Sequence, residues 1–253
     1  MPIFLFTALF IAGLSLACLE FGRRIRLRRG EEKLSSGLGV IDGAVFGLMA
    51  LLLGFSFSGA VSRFDVRREL ILQETNAIGT AWLRIDLLPE AAQSKIRDDF
   101  RAYLDARLAF YKKLNLDRAG ASEELVLSQK LQGKIWTESI AAAKETNSTA
   151  VVTLVVNSLN EMIDVSTMRS VALNTHPPLA IYGTLVLLAL GSSLIAGFGM
   201  GDSDQRSWLH TTVFALALTL TVYTIIDLEF PRIGIIRVDR YDQALVDQRN
   251  SMN

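Results

Sequence analysis

Apolar residues along this chain gather into four runs of membrane length, and the charged residues fall almost wholly between them. The runs cover 2–21, 40–61, 179–200 and 209–226, each near the ~20 residues that an α-helix needs to cross hydrocarbon. Arg23-Arg24-Ile25-Arg26-Leu27-Arg28-Arg29 follows the first run, and a short polar turn over 201–208 separates the last two. Each pair is therefore expected to form a helical hairpin. The first run is broken only by Glu20, has no basic segment before it, carries its charges after it and offers no well-placed small-x-small site. It reads as a membrane span rather than a cleaved signal peptide.

The polar stretch between the hairpins keeps a helical period. Over Ser62–Leu88, Phe64, Ile71, Ile78 and Ile85 recur at seven-residue spacing, with Trp82 and Leu88 nearby. No proline separates this segment from the second run, so span and helix are expected to be one long rod that ends at Pro89. Ala91–Leu116 places Ile96, Phe100, Leu104, Leu108 and Tyr111 on one face. Gly120 and Ser122 mark a turn and an N-cap before a helix over Glu123–Lys144, and Asn147–Thr149 breaks it before a last helix over Ala150–Asn174. Pro177-Pro178 then opens the third span, and no segment reads as a strand. The expected fold is an all-α membrane protein: four transmembrane helices in two hairpins with a helical extramembrane bundle between them. Its parts are a first hairpin over 1–61, a helical domain over 62–178, a second hairpin over 179–228 and a C-terminal tail over 229–253.

Composition sharpens this by exclusion. Half of the 253 residues are hydrophobic and 21% are charged, with a mean hydropathy of +0.32, as apolar runs of this length produce. Lys+Arg and Asp+Glu are 26 each, so there is no basic excess for nucleic acid and no acidic excess for a disordered chain. One cysteine, Cys18, cannot build a disulfide framework or thiolate cluster, and two histidines do not suggest a metal site. No metal and no cofactor is expected. The charges do not settle orientation either. Arg23, Arg24, Arg26, Arg28, Arg29, Lys33 and Arg206 at one membrane face are matched in number by Arg63, Arg67, Arg68, Arg169, Arg232, Arg237 and Arg240 at the other.

Motifs for chemistry are missing. The chain has no G-x-x-x-x-G-K-[ST], H-E-x-x-H or G-x-S-x-G. Gly37-Leu38-Gly39 and Gly197-Phe198-Gly199-Met200-Gly201 lie at span ends and read as flexible ends and close helix packing. Asp98-Asp99 and Glu123-Glu124 read as solvated surface or helix N-terminal charge, His176 and His210 as interfacial residues, and Trp82, Trp136 and Trp208 as packing or interface residues. An enzyme is not expected.

The second span stands out. Asp42 lies in its first turn, where an ionisable group requires water, a partner or the interface. Gly47, Leu51, Phe55 and then Ser58 and Ser62 fall on one helical face. Small and hydroxyl residues in a membrane helix serve close helix packing. The alternative is a pore-facing stripe, in which apolar rings from several subunits form a constriction that gates by dewetting.

Several segments resemble a known family. Leu53-Gly54-Phe55, seven residues, then Arg63-Phe64-Asp65 is similar to the pore-helix exit of bestrophins. The longer run from Gly54 to Arg68, with Glu74-Thr75-Asn76-Ala77-Ile78-Gly79-Thr80-Ala81, resembles the bacterial bestrophin-like domain family. Leu159-Asn160-Glu161-Met162 before Pro178 and Tyr182 looks like the helix leading into the third bestrophin span, and Asp227-Leu228-Glu229-Phe230-Pro231-Arg232-Ile233-Gly234 like the turn after the fourth. The resemblance implies a bestrophin-like fold and places Gly47, Leu51 and Phe55 at the three rings of a pore neck. It implies a homo-oligomer, a pentamer by family habit, with the 62–178 domain on the cytoplasmic side of a bacterial inner membrane. Gly47 is not apolar bulk, so the constriction is expected to be shorter or wider than in bestrophins. Calcium-gated members carry an acidic run after the turn, whereas Ile235-Ile236-Arg237-Val238-Asp239-Arg240 is mixed, which argues against calcium gating.

Two functions remain open from sequence. One is an oligomeric ion channel passing small inorganic ions, with Arg63, Arg67 and Arg68 concentrating anions at one pore mouth and Asp42 opposing them at the other. The other is a non-conducting membrane scaffold or sensor whose helical domain recruits a partner.

Overall fold

In the computed structural model, residues 2–29, 38–114, 116–202 and 207–252 are described, apart from the side chains of 2–5, 29, 38 and 202. Gly37, Lys33 and Arg206, used above in the reading of span ends and charges, lie outside this set, as does the Arg29 side chain. Eight α-helices account for most of it, and no strand occurs among the described residues. Four helical stretches, Phe6–Arg28, Gly39–Leu87, Thr149–Gly199 and Trp208–Glu229, are long and apolar enough to cross a membrane. The expected all-α fold with four candidate spans is thus the one observed.

The chain divides into two compact units. One comprises Met1–Arg63 and His176–Ile236, the other Phe64–Thr175 and Arg237–Asn253. The first holds α1 (Pro2–Arg29), the opening part of α2 (Leu38–Leu83), α6 (Leu179–Gly199) and α7 (Trp208–Glu229). The expected spans lie within these helices except for Met200, which follows the end of α6. α1 continues past the apolar run, so the arginines of 23–28 stand on its last turns instead of in a loop.

In this unit α1 and α6 pack through small residues. Ser15, Ser192 and Ser193 are fully buried. A β-carbon at Gly197 would collide with the Leu19 carbonyl, and one at Gly22 with the Leu194 carbonyl. In a membrane, where lipid tails compete with side chains for apolar contact, such backbone approach supplies van der Waals packing that larger residues would prevent. A second cluster joins Leu185 and Ala189 of α6 to Leu218 and Val222 of α7, with Ile11, Met49, Leu52 and Leu53 against it. Phe46 meets Phe214 edge-on at 6.4 Å.

The other unit is a helical bundle formed by the rest of α2, α3 (Glu90–Lys113), α4 (Arg118–Glu145), α5 (Thr149–Asn174) and α8 (Gln243–Asn250). The heptad read from sequence is its seam: Ile71, Ile78 and Ile85 are at most 2% exposed and Phe64 is half-buried. Ile96, Phe100 and Leu104 of α3 share one core cluster with Ile78 and Ile85, and Trp82 meets Phe100 edge-on at 6.1 Å. α2 runs unbroken for 46 residues, about 70 Å at 1.5 Å per residue. It gives way to a 3-10 turn over Arg84–Leu87, and Pro89 N-caps α3.

Two local readings are corrected. α4 begins at Arg118, not Glu123: Asp117 is its N-cap, its carboxylate accepting from the Gly120 amide at 3.0 Å. Ser122 lies within the helix. An aspartate caps at least as well as serine and adds charge at the positive helix end. The pair Asp98-Asp99 is also not uniformly solvated, because Asp99 is buried and receives the Lys134 ammonium at 2.6 Å. The break before α5 is as expected: Asn147 takes a positive φ of 53° and Ser148 caps the next helix. The end of the chain holds α8, which places Leu245 and Met252 fully inside the bundle core. Burying side chains of that size contributes roughly 1.5–3 kcal/mol each.

Candidate functional site

The α2 stripe singled out by its spacing is bare in the single chain. A side chain at Gly47 would meet open space, Leu51 is 55% exposed and Phe55 69%. Ser58 and Ser62 continue the stripe and are exposed, while Met49, Leu52 and Leu53 on the other side of the helix touch the α6–α7 cluster. The row runs on along α2 as Asp65, Glu69, Gln73 and Asn76, all exposed. One continuous face therefore passes from apolar, through hydroxyl, to charged and amide residues. Asp42 is half-exposed and falls on a different side of α2 from Gly47, five residues back, by helical geometry.

The three arginines after the span have different surroundings. Arg63 donates from Nε to Glu229 at 2.8 Å and also pairs through Nη2 with that fully buried carboxylate. Beside them, His176 stacks on Phe230 at 4.7 Å, with Nδ1 3.6 Å from Glu229. Arg67 is 5% exposed and donates to the carbonyls of Ala172 and Thr175 at 3.1 and 2.8 Å, satisfying the end of α5. Arg68 is exposed, 3.2 Å from Asp65 and 5.7 Å from the Tyr241 ring. Two of the guanidinium groups are thus committed to partners within their own unit, and only Arg68 of the three stays largely in solvent.

The turn after α7 is organised by Asp227, which is 1% exposed. Its carboxylate accepts from the amides of Ile235 and Ile236 at 3.0 and 2.8 Å. Hydrogen bonds to a charged acceptor contribute about 1.5–3 kcal/mol each, which fixes the course of the chain through Pro231 and Gly234.

Sequence reasoning missed a buried ionic cluster in the helical bundle. Glu74 on α2 is fully buried between Arg107 of α3 and Arg169 of α5. Arg107 donates from Nε to Glu74 at 2.8 Å and through Nη2 to the Tyr111 hydroxyl, and Arg169 also reaches Asp242, just before α8. Burial alone pushes the Glu74 carboxyl up, but Arg107 and Arg169 outweigh it and hold the group below the usual carboxylate range. Tyr103, buried nearby, is pushed up to about 12 by desolvation and the Glu74 charge. The cluster has a legible signature: Glu74 sits between Ile71 and Ile78 on the seam, and Arg107 between Leu104 and Tyr111. Charged residues at core register require partners. Among the described residues, no group of three or more His, Cys, Asp or Glu side chains is placed to hold a metal ion.

The bestrophin-like domain family matches residues 9–242. No curated protein matches the chain. A crystal structure of a point variant of a bacterial bestrophin homologue from Klebsiella pneumoniae aligns with a TM-score of 0.72 at 17% identity, covering 98% of this chain and 98% of that one. A second variant of the homologue gives 0.71 at 17% identity over 97% and 98%. Another crystal structure, described as that of a membrane protein, gives 0.72 at 16% identity over 98% and 97%. At these identities the structures speak for a shared membrane-protein fold. With the domain match spanning nearly its whole length, the chain belongs to the bestrophin-like family.

Proposed function

We propose that this protein is an oligomeric ion channel of a bacterial inner membrane, with α2 of each subunit lining the pore. The observation that carries the reading is the bare α2 stripe: Gly47, Leu51 and Phe55 lack partners in the single chain while the other side of the helix is packed. A purely lipid-facing stripe has no reason to carry a hydroxyl at Ser58, still within the span. A water-filled conduit with an apolar neck does. In this reading Leu51 and Phe55 form the rings that close the neck, and Gly47 leaves it wider at one end.

The conducted species are small inorganic ions, and lipid surrounds α1, α6 and α7. Residues 62–178 form the cytoplasmic helical domain between the hairpins 1–61 and 179–228, and the bacterial origin of the solved homologue supports the bacterial membrane. Arg63 and Arg67 hold the pore helix to its neighbours through Glu229 and the end of α5. An anion preference at that mouth then rests on Arg68, which Asp65 and Glu69 on the same face oppose, as Asp42 does from off that face at the other mouth.

The mass of the purified protein in detergent tests the assembly. A ring of several subunits, five by family habit, is expected. A monomer or dimer overturns the reading, because two single helices cannot enclose a pore.

A further inference from the structure

A cleft of about 440 Å³ opens between α3, α4 and α5 of the helical bundle, within the roughly 300–1,000 Å³ typical of small-molecule sites. Its floor is Arg107, a side chain only 2% exposed. Nε of that guanidinium is taken by Glu74, and Nη2 by Glu74 and Tyr111. Nη1 has no hydrogen-bond partner among the described residues and is not among the buried unmet polar atoms, so it stays open to a ligand or to water. The walls are polar in a particular way. Ser128, Thr167 and Ser170 each donate their hydroxyl proton to a carbonyl of their own helix, at 2.8, 3.0 and 2.9 Å. Their protons are therefore spent and their oxygens remain as acceptors along the cleft. Gln129 lines the same wall and is exposed there.

We infer that this cleft binds a small monocarboxylate bearing hydroxyl groups, its carboxylate on Nη1 of Arg107 and its hydroxyls donating to Ser128, Thr167 and Ser170. Glu74 and Asp242 already balance Arg107 and Arg169, so a bound anion must bring little charge, one unit rather than two. Glu74 already accepts from the same guanidinium, so a dianion such as phosphate would set its second charge against a buried carboxylate. A neutral polyol would match the walls and leave Nη1 unmet. The inference does not depend on ion conduction.

Calorimetric titration of the full chain in detergent with sodium gluconate, at constant ionic strength against sodium chloride, tests it. One saturable site per chain is expected. Ser170→Leu, which fills the cleft, and Gln129→Leu, which removes an amide, are each expected to weaken binding at least about tenfold, or 1.4 kcal/mol. Both positions are partly or fully exposed, so the unfolding midpoints without gluconate should stay near wild type. Arg107→Lys should also weaken binding, but it disturbs the Glu74 cluster, and the test therefore rests on the other two variants. The inference is overturned by no saturable binding below about 10 mM, by equal binding of sorbitol, or by unchanged affinity in both Ser170→Leu and Gln129→Leu.

Discussion

Glu74 is the residue on which the helical bundle turns, since its carboxylate joins α2 to α3 and α5 without contact with water. Replacing it by glutamine leaves two buried guanidinium groups short of a counter-charge, which should cost about 3–5 kcal/mol in denaturant unfolding. Its pH signature follows from the lowered pKa. The stabilisation is fully present above the unfolded value of about 4.3 and is lost as pH falls through the lower folded value. Tyr103 acts at the other extreme. Its stabilisation is present below the unfolded value of about 10 and is lost as pH rises through the folded value of about 12. The unfolding midpoint plotted against pH should therefore be flat between these limbs, and Glu74→Gln should remove part of the acid limb and shorten the alkaline one, where burial of Tyr103 remains but the Glu74 charge does not. An acid limb unchanged in that variant would show that other carboxylates carry it.

At the scale of elements, the helices were legible wherever apolar spacing decided them. The seam of Ile71, Ile78 and Ile85, the stop at Pro89 and the break at Asn147 all occur where the pattern put them. The start of α4 was misplaced because Gly120 was read as a turn, whereas its amide is the donor that Asp117 caps. Asp117→Ala is accordingly expected to lower bundle stability by about 1 kcal/mol, with Ser122→Ala near neutral; equal effects would return the cap to Ser122. The glycines at the end of the third span were read as flexible ends and close packing; Gly197 against Leu19 and Gly201 against Arg26 are close approaches, whereas a side chain at Gly199 would meet open space. Gly197→Leu should force α1 and α6 apart and sharply reduce the folded yield in detergent. A folded, wild-type-like variant would mean that this approach tolerates a side chain. α8 was not legible, because eight residues give too short an apolar pattern and only the core shows why Leu245 and Met252 are needed.

For the whole molecule, the membrane class and family could be read from four apolar runs and a few motifs, and the domain match over 9–242 establishes the family. The ionic cluster was less accessible, because its members lie far apart along the chain and only folding brings Glu74, Arg107, Arg169 and Asp242 together. The arginines after the second span looked equivalent in sequence. Their differing partners, Glu229 for Arg63 and helix-end carbonyls for Arg67, are set by tertiary structure. The proposal of a conducting ring depends above all on the bare face of α2, and ion flux through liposomes holding the purified protein tests it most directly. Leu51→Ala combined with Phe55→Ala should widen and wet the neck and raise flux well above wild type. Absence of flux from both wild type and the double variant, in vesicles shown to contain the folded protein, would contradict it.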